Sequence, residues 1–457
     1  MAAEANAQLG TWLGRSRVAA FLRLQGHRVR RLGWGVADQA ASSVSNAAVS
    51  IYVARTLGAV QFGAFSLAYV TYSFALGASR GLATDPLVVR FSGTDEKSWR
   101  RAVASATGTA ATAGLVMGAC VLLVAGLLSG TARAAFVALG VTLPALMLQD
   151  SWRYSFFAHG RGSQAFLNDT IWSLTLIPAL VYLRFTNHAD VFWFVLAWGA
   201  TAGIAAAAGP LQARVIPRMT RVRVWLSQHH DLGFRYFAEN TASSGANQLR
   251  TYGVGLILGL AAVGYVQAAL TLMGPFMVIF FGLSLVTVPE AARVLRGSPR
   301  HLPLFCLLVA GGLALLAVIW GGVLLVILPK GFGYWLLHGV WRPTYPLVLP
   351  LTISVAGGCV IAGATAGLHA LGAAQRSLRA MLLASAIFVV CGLVGAATGG
   401  SLGVVIGAAV ATWVGALLWW RELRVALRNH GMPEGPRLGP GRHRRPPGPQ
   451  QHRQPAQ

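Results

Sequence analysis

The 457 residues have a mean hydropathy of +0.58; 55% are hydrophobic and only 11% charged, which excludes an ordinary soluble domain, where about a quarter of residues carry charge. The net charge of +24 would suit a nucleic-acid binder, but its confinement to the stretches between apolar runs assigns it to membrane-surface rims, so nucleic acid is excluded as a partner. Cys120, Cys306, Cys359 and Cys391 all lie inside apolar runs without CxxC spacing and read as small apolar fillers.

In chain order, residues 1–31 form a polar, Arg-rich N-terminal tail with no cleavable signal peptide evident. Apolar runs of membrane-spanning length follow at 34–54, 62–79, 103–128, 134–149, 166–183 and 191–208. The fourth is short, and its helix is expected to continue through Asp150 and Arg153 toward Phe157. A basic linker precedes a second set at 236–259, 264–288, 303–328, 346–369, 380–398 and 402–420. The expected fold is therefore an all-α polytopic membrane protein of about twelve spans. It divides into an N-terminal six-helix bundle (32–212), a basic linker (213–232) and a C-terminal six-helix bundle (233–420). The Pro- and Arg-rich segment 421–457 has too little apolar surface to order itself and is expected to be a disordered tail.

The two halves echo one another. Residues 38–65 and 239–266, at a constant offset of 201, share 8 identities in 28 positions, where roughly 3 would arise by chance in so biased a composition. The shared residues include Asn46/Asn247, Gly58/Gly259 and Gly63/Gly264, and each copy opens on an acid, Asp38 or Glu239. Gly58 and Gly259 are placed to close helix ends at very short connectors. Orientation follows from charge. The tails and the alternate loops hold 31 Lys/Arg and the remaining loops hold 5, with Arg250 inside a span, which puts both termini in the cytoplasm.

Charged and amide side chains inside apolar spans are costly and mark candidate sites. In the seventh span Glu239, Ser243, Asn247 and Arg250 recur at i, i+4, i+8 and i+11 on one helix face, widened by Asn240 and Gln248. The first span repeats the stripe with Asp38, Ser42, Ser45 and Asn46, flanked by Gln39. Two such helices at equivalent positions would face each other across a central cavity; the competing reading is interhelical hydrogen bonding. Glu239 and Arg250 are about 16 Å apart along the axis, so Arg250 needs another partner, and an anionic substrate would serve. Asp169 lies about one turn into the fifth span, and Asp150 and Arg153 at i, i+3 are spaced for a local ion pair. Arg80, at the inner end of the second span, can reach a phosphate or snorkel to headgroups.

No HExxH or comparable metal-ligand spacing and no GxxxxGK[ST] occurs, so neither a metal centre nor an ATP site is encoded. The longest outer loop, 329–345, offers Lys330, His338 and Arg342 but no carboxylate, which disfavours an enzyme.

Several stretches, among them DQAASSVSNAAVSIYVARTLGAVQFGAF, SRGLATDPLVVR, LQDSWRYSFFAHGRGSQAFLNDTIW, GPFMVIFFGLSLVTVPEAARV and GLHALGAAQRSLRA, resemble the polysaccharide-exporter, oligosaccharide-flippase branch of the multidrug/oligosaccharidyl-lipid/polysaccharide (MOP) transporter superfamily. The resemblance runs from about 32 to 420. It implies two six-helix bundles forming a V around a cavity that opens alternately to each side of a bacterial inner membrane. It also implies a polyprenyl-pyrophosphate-linked glycan as substrate, with glycosyltransferases or a polymerase of the same pathway as partners. Peptidoglycan-precursor flippases of the superfamily usually have fourteen spans, against twelve here. Cationic side chains in the N-terminal half of flippase cavities hold the pyrophosphate, and Arg80 is the nearest match; Val49, opposite Arg250 in the repeat, leaves the first span without one. Arg250 and Arg80 are the expected headgroup ligands, with Asn46, Asn247, Gln39 and Gln248 bonding sugar hydroxyls. Asp38, Glu239 and Asp169 are candidates for coupling to H+ or Na+, and Asp150 and Arg153 for gating; no other cofactor is implied. A multidrug antiporter of the same superfamily, a glycan ligase or polymerase using the 329–345 loop, and a scaffold docking through its basic tail remain the alternatives.

Overall fold

The computed structural model describes residues 45–430; the N-terminal arm with Asp38 and Gln39, and the segment beyond 430, lie outside the described residues, as does the side chain of Glu239. Among the described residues all regular structure is helical. Twelve long helices result: α1 (45–57), α2 (59–91), α3 (Glu96–Leu127), α4 (Gly130–Ala158), α5 (Gly162–Phe185), α6 (Val191–Ala213), α7 (Val222–Leu258), α8 in two pieces (Leu260–Leu272 and Gly274–Gly297), α9 (Leu302–Ile327), α10 (Trp341–Ala370), α11 (374–399) and α12 (401–429), with a short helix, Phe332–Leu337, between α9 and α10. Nine continuous helical stretches among the described residues are long and apolar enough to cross a membrane. Twelve arise because α1–α2 and α11–α12 each run as one stretch through a glycine corner, and because α7, crossed by its polar stripe, falls short on hydropathy.

The corners are chemical in origin. Gly58 (φ +73°), Gly259 (φ +81°) and Gly400 (φ +60°) occupy left-handed backbone that a Cβ would disfavour. From Gly400 the chain doubles back so closely that a methyl on Gly395 would overlap the Gly403 carbonyl, and one on Gly407 the Cys391 carbonyl. Elsewhere Asp95 and Asp190 cap α3 and α6 by accepting the Ser98 and Trp193 amides.

Three sequence expectations are corrected. The eighth span is interrupted at Met273, where Pro275 occupies the first turn of the second piece and withholds an N–H. The basic linker does not stay separate, since α7 begins at Val222 and continues as one 37-residue helix. The tail does not lose structure at 421, because α12 continues to Asn429 and buries Leu423, Ala426 and Leu427.

The two halves meet in the manner the repeat implies. A methyl on Gly63 would strike the Leu260 carbonyl, and one on Gly264 would strike the Ala59 carbonyl; 59/260 and 63/264 are both repeat pairs, so the contact is reciprocal about a local pseudo-two-fold axis. Beside it Val53, Leu57 and Leu67 share one buried core with Leu337, Val340 and Trp341. The halves are thus sealed together at the arginine-poor end. Along the rest of its length α2 packs antiparallel against α7, through Thr71 Oγ1 and Tyr252 Oη (2.8 Å) and through Gly81, where a methyl would meet the Phe237 backbone.

Candidate functional site: a charge-paired cavity in the N-terminal half

Near its basic end α2 opens into a π-helical turn, Arg80–Thr84, directly ahead of Pro86. Such a turn, followed by a proline without an N–H, strips carbonyls of their helical donors. Side chains from α7 take two of them: Trp225 Nε1 donates to Leu82 O (3.2 Å) and Asn240 Nδ2 to Gly77 O (3.1 Å). Asn240 Nδ2 also donates to Asp85 (3.0 Å). The irregularity is therefore pinned from outside, and it sets Arg80 pointing toward α4.

There Arg80 Nε and Nη2 donate to the two carboxylate oxygens of Asp150 at 2.9 and 2.6 Å, a bidentate geometry that orients as well as binds. Tyr154, one turn beyond Asp150, lies under the guanidinium with its ring centroid 4.7 Å away. Arg153 reaches α5 and pairs with Asp169 at 3.3 Å. Gln149 Nε2 donates to Asp169 Oδ1 (2.8 Å) and to Asn168 Oδ1 (3.2 Å), while Asn168 Nδ2 donates to Ala205 O and Gln212 Oε1 on α6. The local Asp150–Arg153 pair expected from i, i+3 spacing does not form. Each residue instead reaches a different helix, because both face the interior of the half and stronger partners stand opposite.

These groups line a cavity of about 180 Å³, room for roughly six waters at ~30 Å³ each. Asn46, Ser45 and Val49 close it from α1, and Tyr69, Tyr72, Trp172 and Trp198 form an aromatic wall. That wall is rigid: Tyr72 meets Trp198 edge-on at 4.8 Å, and Trp172 Nε1 donates to Trp198 O. Among the described residues two arginines and two aspartates line it and cancel in charge, leaving a highly polar cavity. An ion pair so enclosed holds only while both partners remain.

Asn46, Arg80, Asp150, Arg153 and Asp169 are thus brought together. Arg250, Asn247 and Gln248 are not. Arg250 is buried in the other half against α11, its guanidinium 4.4 Å from the Phe388 ring centroid and its stem against Gly392, where an added methyl would lie 2.7 Å from Cδ. Its Nη2 donates to Asn247 Oδ1 (3.1 Å), its Nε has no acceptor, and no carboxylate among the described residues lies within ion-pair distance. Gln248 is buried and Asn247 exposed. Gln149, Tyr154 and the aromatic wall were not singled out from sequence; Gln149 directly preceding Asp150, and Tyr69 and Tyr72 at i, i+3, are the signals that point to them.

No family model and no curated protein matches the sequence. Solved structures match the fold. One is a multidrug resistance MATE family transporter of the MOP superfamily in an inward-facing conformation, 14% identical with a TM-score of 0.66 over 85% of this chain and 95% of that one. Another is the lipid II flippase MurJ in an inward closed conformation, 12% identical with a TM-score of 0.64 over 87% and 90%. A MOP superfamily transporter from Pyrococcus furiosus, described as having a binding pocket of reverse polarity, is 14% identical with a TM-score of 0.54 over 89% and 96%. The chain therefore has the two-lobed, twelve-helix fold of MOP superfamily transporters.

Proposed function

We propose that the protein is a flippase of a bacterial cytoplasmic membrane, with both termini in the cytoplasm, moving a polyprenyl-pyrophosphate-linked oligosaccharide from the inner to the outer leaflet by alternating access. The observation that carries this reading is the state of the buried charges. Among the described residues, both carboxylates that line the N-terminal cavity are held by arginines, and a third arginine, Arg250, sits without a carboxylate. A site for organic cations needs the opposite balance, a carboxylate left open. A diphosphate can displace Asp150 from Arg80, because it offers the same paired oxygens with more charge; Asn46 and Gln149 then bond sugar hydroxyls. A cation, H+ or Na+, taken up by the Asp150 or Asp169 carboxylate would compete with its arginine, which gives ion coupling a physical route; Asp38 and Glu239 are further candidates for it. Arg250, Asn247, Gln248 and Gln39 serve the headgroup once the halves separate. The protein acts without covalent chemistry, alongside the glycosyltransferases or polymerase of the same pathway.

The test is transport by purified protein in proteoliposomes. A lipid-diphosphate-linked oligosaccharide crosses between leaflets with the parent protein and fails to cross with Arg80→Gln. Resistance to cationic dyes in an efflux-deficient host, with no movement of the glycolipid, would instead identify a multidrug antiporter.

A further inference from the structure

A second feature lies on the membrane-facing side of the C-terminal half, away from the cavity and independent of the transport reading. Trp413 Nε1 donates to Ile353 O and Trp420 Nε1 to Val360 O; the constant offset of 60 shows α12 running parallel to α10, with both indoles fixed against it. On the other side stands the first part of α9, Leu304, Leu307 and Gly311. Between them is a groove of about 1010 Å³, at the top of the roughly 300–1,000 Å³ range of small-molecule sites. A methyl on Gly311 would meet nothing, so the floor is open there, and Leu417 on the rim is 72% exposed.

The groove changes character along its length. From Trp413 to Trp420 it is apolar, and it then ends in Arg421, Arg424 and Arg428, which at i, i+3 and i+7 share one helix face. The distance from Trp413 to Arg428 is roughly 22 Å at about 1.5 Å per residue, close to the depth of one leaflet with its headgroups. The neighbouring carboxylate, Glu422, is already engaged by Arg376 at 3.0 Å, and no carboxylate among the described residues lines the groove.

We propose that this groove is a binding site for an anionic phospholipid of the leaflet at the basic end, its phosphate held by Arg421 and Arg424 and one acyl chain lying over Gly311 between the fixed tryptophans. Charge complementarity selects this occupant over a neutral lipid, and the apolar length selects it over free phosphate. Full-length protein purified in detergent, supplied with palmitoyl-oleoyl phosphatidylglycerol or the phosphatidylcholine of the same chains, tests it by native mass spectrometry. The parent retains phosphatidylglycerol in preference to phosphatidylcholine, and excess inorganic phosphate does not displace it. Arg421→Ala and Arg424→Ala each weaken retention about fivefold, the effect of a basic side chain near an anionic surface. Gly311→Trp, which fills the floor while leaving the arginines in place, abolishes retention, and Arg101→Ala in the other half leaves it unchanged. Equal retention of both lipids, or phosphatidylglycerol retained by the Arg421→Ala, Arg424→Ala double variant or by Gly311→Trp with native helicity, would overturn the proposal. So would a dimer that Gly311→Trp dissociates, since the groove would then hold a second copy.

Discussion

Asp150→Asn is the substitution that separates a structural ion pair from a poised anion site, because the two roles move different observables in opposite directions. Asparagine preserves shape but removes the charge that holds Arg80 at 2.9 and 2.6 Å. Breaking a buried pair by removing one partner costs about 3–5 kcal/mol; the Arg80 side chain retains 27% exposure against 7% for Asp150, so the lower end, about 3 kcal/mol, applies. For a unit of 150–250 residues, about the size of the N-terminal half, each kcal/mol moves the melting temperature by about 2–4 °C, giving a loss of roughly 6–12 °C. The same variant leaves Arg80 with donors to spare. One regained charge-assisted hydrogen bond contributes about 1.5–3 kcal/mol, so affinity for a soluble lipid diphosphate should rise at least about tenfold. Geranyl pyrophosphate titrated calorimetrically into the detergent-solubilised protein reads this directly, beside a thermal melt. A variant that melts earlier and binds no tighter would leave Arg80–Asp150 a structural clamp and refute the exchange of partners.

Other outcomes follow from the same geometry. Arg250→Met removes a buried guanidinium whose Nε lacks an acceptor, an omission that costs about 1–3 kcal/mol, so the variant should melt higher by that measure while glycolipid transport falls. Gly63→Ala should lower the melting temperature, the overlap with the Leu260 carbonyl costing about 1–3 kcal/mol as overpacking. Gly126→Ala, where the added methyl meets nothing, should raise it, through a gain of about 0.5–1 kcal/mol in stability. At the basic end Arg100, with Arg161 and His159, holds the Glu96 carboxyl below its usual 4.5. A depressed folded-state value contributes stability that is complete above the unfolded value and is lost as the pH falls through the depressed one. Acid melts of the parent should therefore steepen below about pH 4.5 relative to Glu96→Gln, and parallel curves would remove that cluster from the account.

Much of this fold was legible because membrane spans obey two simple constraints, apolar length and a turn chemistry that must reverse the chain in very few residues. Gly58 and Gly259, picked out by the repeat, sit at φ +73° and +81° where the connectors were expected, and within the described residues a helix lies over each apolar run, the eighth in two pieces. What sequence could not supply was direction around a helix. Asp150 and Arg153 have the spacing of a local pair, yet the same spacing puts two side chains on one face, and the residues on α2 and α5 decided which partners they took. Arg250 and Asn247 belong to one stripe, but the roughly 60° between them on the helix is enough to bury the first against α11 and leave the second exposed. The π-turn at Arg80 and the break at Met273 were likewise hidden, although Pro86 and Pro275 mark both in hindsight.

The central claim, a wet and charge-bearing hollow in the N-terminal half that takes a glycolipid's diphosphate, is tested most directly by thiol accessibility. Single cysteines at Asn46, Ser73 and Ser173, all on the cavity wall, are introduced into a protein whose four native cysteines have been replaced, and are treated with a membrane-impermeant maleimide from the side of the termini. Labelling at all three positions, suppressed by a lipid-diphosphate-linked oligosaccharide and not by its dephosphorylated form, is the predicted result. Thiols that stay sealed from both sides with substrate present and absent, in a protein that still moves the glycolipid, would contradict it.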